Sequence, residues 1–174
     1  VPPENPITEP KRVLGKILFW DEQLSSTNTV ACGTCHSPGH SGADGRIATN
    51  PGHDGIFNTA DDIMGSAGIV RTGENGLPID DPTYHFNPQV TSRSANSMIN
   101  SAYLIGAFWD GRAFATFRDP QTGSVAIAYG GFLENQAIAP ILSSVEMAAQ
   151  ARTWAQVSHK LSISEPLAHA ASLP

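Results

Sequence analysis

The sequence predicts a mainly α fold, one domain over residues 1–174 with long ordered loops. Apolar residues recur at helical spacing in three places, and no alternating strand pattern runs for more than a few residues. The chain also contains 16 glycines and 13 prolines, so a large share of it must be turn and loop. A length of 174 residues suits a single domain with its own core.

Three helical regions are predicted in chain order. The first begins after Thr8, a residue type that caps helix N-termini, has Pro10 in its first turn and ends near Asp21. Its buried stripe consists of Val13, Leu14, Ile17 and Leu18. The second predicted helix covers about 94–107, and the last helical region covers about 144–161.

Two irregular stretches separate these helices. Residues 37–88 are rich in Gly, Asp, Asn and Pro and lack a sustained apolar period, so we interpret them as a long ordered loop. A second irregular stretch covers 118–131. Loops of such length inside a compact domain are usually functional or organised by a ligand.

The charge and hydropathy of the chain exclude two classes of function. Sixteen acidic residues against ten Lys and Arg give a net charge of -6, whereas nucleic-acid binding needs a basic surface. No apolar run approaches the roughly 18–20 residues that a membrane-spanning helix needs, so no membrane span is expected.

The two cysteines of the chain belong to the motif Cys32-Gly33-Thr34-Cys35-His36. Thiols one helical turn apart can each add to a vinyl group on one edge of a porphyrin, and the adjacent imidazole then lies under the iron. A thioredoxin-type redox pair would need a βαβ context, which the sequence does not predict. A structural zinc site would need four ligands, and the chain has no second cysteine pair to supply them. The motif therefore predicts a cytochrome c-like domain with one covalent haem c and His36 as the proximal ligand. Because such attachment takes place outside the cytoplasm, we expect a periplasmic or otherwise extracytoplasmic protein.

Further motifs lie before and after the haem motif. They are Leu14-Gly15-Lys16-Ile17-Leu18-Phe19-Trp20-Asp21 with Leu24-Ser25, Arg93-Ser94-Ala95-Asn96-Ser97, Phe108-Trp109-Asp110-Gly111-Arg112-Ala113 and Val145-Glu146-Met147. In addition, Gln136, Pro140 and Glu146 have the spacing Q-x3-P-x5-E. In order and spacing the chain resembles the N-terminal, peroxidatic-haem half of the bacterial dihaem cytochrome c peroxidases, a family that includes the MauG-type enzymes.

The resemblance implies roles for several residues. Glu146 would be the acid/base that moves a proton between the oxygens of hydrogen peroxide, with Gln136 and Pro140 shaping the pocket beside it. Trp109 would lie between two haems on the electron path, and Arg112 would anchor a haem propionate or an interface carboxylate.

The family also has a histidine that caps the peroxidatic iron on its distal side. The nearest candidate is His85, which lies one residue farther from Arg93 than the family interval, and Tyr84 beside it is the second possibility.

Three functions remain open at this stage. The favoured one is the peroxide-reducing half of a dihaem peroxidase-like protein. Because the chain holds a single C-x-x-C-H, its partners would be a second haem domain or chain and a small electron-donor protein. The alternatives are a mono-haem electron-transfer cytochrome, with a permanent sixth ligand such as Met64 or Met147, and a MauG-like enzyme that oxidises a protein side chain.

A calcium site is a further expectation. Asp54, Asn58, Asp61 and Asp62 place oxygen ligands at short intervals around a glycine turn, as calcium prefers. The alternative is a polar turn held by ordinary Asx hydrogen bonds.

Overall fold

The computed structural model describes residues 1–170. Within these residues the chain forms four α-helices: α1 (Glu9–Trp20), α2 (Cys32–Cys35), α3 (Phe132–Ile138) and α4 (Trp154–Ile163). Single 3-10 turns occur at Glu22–Leu24, Pro38–His40, Ser101–Tyr103 and Pro140–Leu142. Three antiparallel two-stranded sheets pair β1 (Ala48–Asn50) with β2 (Ile63–Gly65), β3 (Ala67–Val70) with β4 (Pro88–Val90), and β5 (Phe117–Arg118) with β6 (Val125–Ile127).

The prediction of a mainly α fold is wrong. Helix accounts for 26% of the chain and strand for 15%, so the fold mixes short helices with short sheets. The physical reason is that two predicted helices are interrupted by residues with left-handed backbone, and that much of the predicted loop pairs into sheets.

Helix α1 confirms the predicted bounds of the first helix, but the predicted buried stripe is wrong: α1 has no buried residue, Val13 and Leu14 are exposed, and Ile17 and Leu18 are only half-buried, because α1 packs through Trp20 at its end. The hydroxyl of Thr8 accepts a hydrogen bond from the Lys11 N–H at 3.5 Å, and Pro10 lies in the first turn. The helix ends where Asp21 becomes extended. The buried Asp21 carboxylate then accepts from the Gln23 and Leu167 N–H groups, each at 3.0 Å, and so fastens the end of α1 to the C-terminal part of the described chain.

The predicted helix over 94–107 is not formed. Only the 3-10 turn Ser101–Tyr103 is helical, because Asn100 and Phe108 have φ angles of 64°. The backbone of this segment bonds to another part of the chain instead of to itself. Met98 N–H, for example, donates to the Gly42 carbonyl at 3.0 Å.

The last predicted helix begins about ten residues later than expected. Ala151 has a φ angle of 55°, which stops a helix from running through it. Thr153 then caps α4 in a capping box: its hydroxyl accepts from Gln156 N–H at 3.3 Å, and its own N–H donates to the Gln156 amide oxygen at 2.8 Å.

The predicted loop over 37–88 is ordered, but it contains three strands and begins the fourth. Pairing of β1 with β2 and of β3 with β4 folds it into two hairpin-like layers. The Asn50 side-chain amide joins them by donating to the Val90 carbonyl at 2.7 Å. The β5–β6 hairpin likewise organises most of the second irregular stretch.

The apolar core gathers residues from distant parts of the chain. Its buried members are Leu24, Val30, Ile69, Met147 and Val157. Ile69 on β3 is its most buried member, 1% exposed, and the core joins this strand to α4 and to the segment before the cysteine motif. No helix of the described residues is long and apolar enough to cross a membrane.

Candidate functional site

The two cysteines lie on α2, a single helical turn. His36 N–H donates to the Cys32 carbonyl at 3.0 Å, and the Thr34 hydroxyl accepts from Ala31 N–H at 2.9 Å. The ring of Trp20, the last residue of α1, lies directly over Gly33, where a Cβ atom would overlap it. Helix α1 therefore packs on the motif, whose Cys32, Cys35 and His36 all line the same cavity.

The imidazole of His36 is oriented by two backbone carbonyls. Its Nδ1 atom lies 3.2 Å from the Gly42 oxygen and 3.1 Å from the Asn96 oxygen. Because both neighbours can only accept, Nδ1 carries the proton and Nε2 keeps its lone pair free for a metal. This is the outer-shell arrangement that fixes the tautomer of a metal-binding histidine.

One cavity of about 350 Å³ collects most of the predicted site residues. Cys32, Cys35 and His36 line it together with Gln136, Pro140, Glu146 and Arg112. Most of its remaining wall is apolar and includes Phe19, Val30, Leu104, Phe108 and Leu133. An apolar cavity with a few convergent polar groups is typical of cofactor sites.

Glu146 is presented by a tight turn. The N–H groups of Glu146, Met147 and Ala148 all donate to the Ser143 carbonyl, at 3.1, 2.9 and 2.8 Å. The preceding residue, Val145, accepts from Ile69 N–H on β3 at 3.1 Å. The turn is therefore fastened to the central core strand, which holds the half-buried carboxylate at the cavity.

Gln136 comes to the cavity on α3. The amide of Asn135, one residue earlier, donates to the carbonyls of Phe114 and Thr116 at 2.7 and 2.9 Å. These bonds fix α3 against the segment just before β5. Pro140 begins the 3-10 turn that directly follows α3. Gln136 and Pro140 therefore reach the cavity from one continuous segment of the chain.

Two arginines at the cavity share one carboxylate. Asp110 accepts from Arg93 Nη1 at 2.7 Å and from Arg112 Nη1 at 3.0 Å. The Arg93 hydrogen bond is the leading reason why the pKa of Asp110 falls to about 2. Trp109 is 85% exposed and does not line the cavity, and the Arg93 guanidinium lies 5.0 Å from its ring centroid.

Burial disfavours ionisation of both thiols. Burial raises the pKa of Cys32, and it raises the pKa of Cys35 to about 11 even though the nearby Arg46 guanidinium opposes the shift. The charges of Asp44 and Glu146 add to the effect at Cys35.

The structure does not bring His85 or Tyr84 to the cavity. His85 is exposed, and its Nδ1 atom lies 3.1 Å from the Asp80 carboxylate. The Tyr84 hydroxyl donates to the Val90 carbonyl at 3.3 Å. Met147 and Met98 do line the cavity, whereas Met64 does not.

The residues of the expected calcium site mainly bond to their own turn. Asp61 accepts from the N–H groups of His53 and Asp54 at 2.7 and 3.1 Å, and Asp62 accepts from Asn58 N–H at 2.8 Å. Residues 1–170 contain no group of three or more His, Cys, Asp or Glu side chains that could hold a metal ion. The Oδ1 atom of Asp62 is buried without a hydrogen-bond partner in that range, which a cation would complement. Calcium therefore remains a prediction from the sequence.

The cavity fits a covalently attached haem on the chemistry of its donors. It is lined by two cysteine thiols, by a histidine with a free Nε2, by apolar walls for a porphyrin and by two arginines for its carboxylates. Arg93 and Phe19 were not predicted as site residues, although both stand in the family motifs. Their role depends on contacts with distant segments, and no local sequence signal reports such contacts.

Comparison with known proteins shows what the chain is similar to. Residues 9–171 match the family described as di-haem cytochrome c peroxidase. The methylamine utilization protein MauG of Methylophilus methylotrophus is 30% identical over 146 residues, which are 84% of this chain and 28% of the relative. The cytochrome c551 peroxidase of Pseudomonas aeruginosa is 31% identical over 142 residues, 82% of this chain and 26% of the relative. The cytochrome c peroxidase Ccp of Escherichia coli is 28% identical over 161 residues, 92% of this chain and 23% of the relative. The chain thus spans about a quarter of the length of these relatives.

Proposed function

The chain belongs to the di-haem cytochrome c peroxidase family, as its resemblance predicted, and on that premise we propose that it binds one haem c and reduces hydrogen peroxide. Haem would be attached through Cys32 and Cys35, with His36 as the proximal iron ligand. The observation that carries the proposal is the cavity that these three residues line together with Glu146 and Gln136. A domain that only transferred electrons would have no need for a carboxylate and an amide there.

When bound, haem c supplies an iron centre that binds peroxide and exchanges electrons. The residues of the chain do the rest. The Nε2 atom of His36 would hold the iron, while its Nδ1–H is bonded to the carbonyls of Gly42 and Asn96. The guanidinium groups of Arg93 and Arg112, which line the cavity, would bind the haem propionates, because a planar guanidinium pairs well with a carboxylate.

Proton transfer is assigned to Glu146. Its carboxylate would accept the proton of one peroxide oxygen and deliver it to the other, so that the departing oxygen leaves as water. The amide of Gln136 would hold the peroxide by hydrogen bonds, and Pro140, which has no N–H, would close the pocket beside it. The complete reaction consumes two protons and two electrons for each hydrogen peroxide and yields two water molecules.

Electrons must come from outside these residues. We assign their delivery to a second haem domain or chain, reduced in turn by a small electron-donor protein, and place the reaction outside the cytoplasm. Trp109 is the proposed contact on that path, because its ring is exposed and is held beside the cavity by Arg93. His85 is left out, since its ring pairs with Asp80 away from the cavity.

A MauG-like reaction, the oxidation of a protein side chain, is the second candidate. The observation in its favour is that the Methylophilus MauG aligns with 84% of this chain and is 30% identical over the aligned residues. Both candidates require the same haem attachment and the same pocket.

The test is the optical spectrum of the purified haem protein, oxidised and reduced, before and after the addition of peroxide. We expect a c-type spectrum that changes rapidly on mixing, and a Glu146→Gln variant that reacts about 10²–10⁴-fold more slowly. Glu4→Gln is the control, because Glu4 is exposed and lies outside the cavity.

Two outcomes would contradict the proposal. A low-spin spectrum that ignores peroxide in both redox states would leave an electron carrier, with Met147 or Met98 as candidate iron ligands. A purified protein without covalent haem would remove the basis of the function altogether.

A further inference from the structure

The guanidinium of Arg46 contacts the Cys35 sulfur but does not itself line the cavity. Its Nη2 atom is 3.1 Å from the Cys35 sulfur, 2.9 Å from the Ala67 carbonyl oxygen and 2.7 Å from the Asp44 carboxylate. Its Nε atom adds a second bond to Asp44 at 2.9 Å. The arginine therefore connects the second attachment cysteine to the start of β3 and to a carboxylate at the same time.

Asp44 holds this arginine firmly. Its side chain is 1% exposed, and it also accepts from the Arg46 backbone N–H at 2.9 Å. Burial acts against ionisation, yet the hydrogen bonds from Arg46 keep the pKa of Asp44 below its ordinary value. The Asp44 backbone is fixed as well, because its N–H donates to the Ala95 carbonyl at 3.3 Å. A bidentate ion pair with a buried carboxylate holds the guanidinium in one orientation, although the Arg46 side chain itself is 39% exposed.

The two cysteines differ in this respect. Cys35 has the Arg46 donor beside its sulfur, whereas no side chain within residues 1–170 donates a hydrogen bond to the sulfur of Cys32. Cys32 is instead the first residue of α2 and packs against the apolar core. The position of its sulfur is therefore set by packing, and the position of the Cys35 sulfur by a charged hydrogen-bond donor.

We propose that Arg46 is a positioning residue for haem attachment at Cys35. The inference deepens the function proposed above and rests on its haem-binding part. The attachment adds the Cys35 S–H across a vinyl double bond. The S–H bond and the π bond of the vinyl group break, a carbon–sulfur bond forms, the hydrogen goes to the neighbouring carbon, and there is no net oxidation or reduction. Arg46 contributes by holding the sulfur at one place on the porphyrin edge. The thioether that results can still accept its hydrogen bond, because a thioether sulfur is a weak acceptor.

The test measures covalent haem in backgrounds that each retain a single cysteine. Arg46→Lys keeps the positive charge beside Asp44 but lacks the planar fork that reaches the sulfur and two oxygens together. This substitution is combined with Cys32→Ala, where attachment depends on Cys35, and with Cys35→Ala, where it depends on Cys32. The readout is the fraction of chains with the mass of attached haem after denaturation.

We expect Arg46→Lys to lower that fraction at least several-fold in the Cys32→Ala background and to leave it unchanged in the Cys35→Ala background. Arg12→Lys is the matched control, since Arg12 forms an exposed ion pair with Glu9 on α1, away from the cavity. An equal loss in both backgrounds would assign Arg46 a general role in folding and overturn the proposal, and so would an unchanged fraction in both. A wild-type protein that carries no covalent haem would contradict the proposed function itself, which separates the two failures.

Discussion

A Cβ atom on Gly68 would lie 2.8 Å from the Cα atom of Glu146, so these two residues touch backbone to backbone. Gly68 lies on β3, next to the buried Ile69 whose N–H holds the Val145 carbonyl. The close approach explains how a core strand can support the turn that presents Glu146. It also leaves no space for any side chain at position 68.

The first prediction follows from that contact. Gly68→Ala should lower the free energy of unfolding by about 1–3 kcal/mol, because the added methyl group overlaps backbone atoms that cannot rotate away. It should also slow the reaction with peroxide by displacing Glu146. Gly15→Ala is the control: it lies in α1 with nothing within 4 Å of its Cβ position and should stabilise the protein by roughly 0.5–1 kcal/mol. Urea denaturation of both variants measures the difference, and equal stability would disprove the steric argument.

A second prediction concerns the core. Ile69→Ala should lower the free energy of unfolding by about 2–5 kcal/mol, and Ile69→Val by about 0.5–1.5 kcal/mol, because the deletions leave a cavity at the centre of the core. Ile105→Ala removes the same atoms from a side chain that is 99% exposed, so its effect should stay within about 0.5 kcal/mol. Thermal or urea unfolding distinguishes the two positions, and similar losses at both would show that Ile69 is not central.

A third prediction uses Asp110, the carboxylate shared by two arginines. Its folded pKa of about 2, lowered first by the Arg93 hydrogen bond, lies below the ordinary value of about 3.9. The stabilisation by this group is therefore fully present above about pH 4 and is lost as the pH falls through about 2. Titration of the carboxyl carbon by NMR should show the Asp110 pKa rising toward its ordinary value in Arg93→Gln, and rising less in Arg112→Gln.

Arg118→Gln is the control for that titration, because Arg118 donates to the Gly123 carbonyl and does not contact Asp110. Added salt should reduce the difference between the variants, since these groups lie at the surface. An Asp110 pKa that stays near 2 in Arg93→Gln would show that Arg93 is not the main cause.

A fourth prediction concerns Arg152, which connects three segments. Its Nη1 atom donates to the carbonyls of Leu24, Ile141 and Met147 at 2.8, 3.2 and 3.4 Å. Arg152→Met should cost about 1–3 kcal/mol of unfolding free energy, because the half-buried carbonyls lose their shared donor. Arg118→Met removes one exposed bond and should change stability by less than about 0.5 kcal/mol. The two unfolding midpoints compare these variants directly, and coincidence of the midpoints would contradict the bridging role.

The sequence alone determined the features that depend on neighbouring residues. The spacing of Cys32, Cys35 and His36 is chemistry confined to one helical turn, so it could be interpreted without a structure. Helix α1 has its cap, its proline and its end within fourteen residues, from Thr8 to Asp21, so its bounds were predicted nearly to the residue, whereas the burial of its apolar residues was predicted wrongly. The family resemblance was confirmed for the same reason, because its motifs are short and ordered along the chain.

Only the tertiary structure decided the features that depend on distant segments. The residues around Asn100 have the composition of a helix, yet their backbone bonds to residues 41–44 and supplies a carbonyl to His36. Arg93 and Arg112 meet at Asp110, and Arg46 reaches Cys35, through contacts that no local pattern encodes. Helical propensity is worth less than about 1 kcal/mol per residue, so a few such hydrogen bonds and ion pairs outweigh it. Because these tertiary contacts outweigh local helical propensity, the chain adopts a mixed fold of short helices and short sheets instead of the predicted mainly α fold.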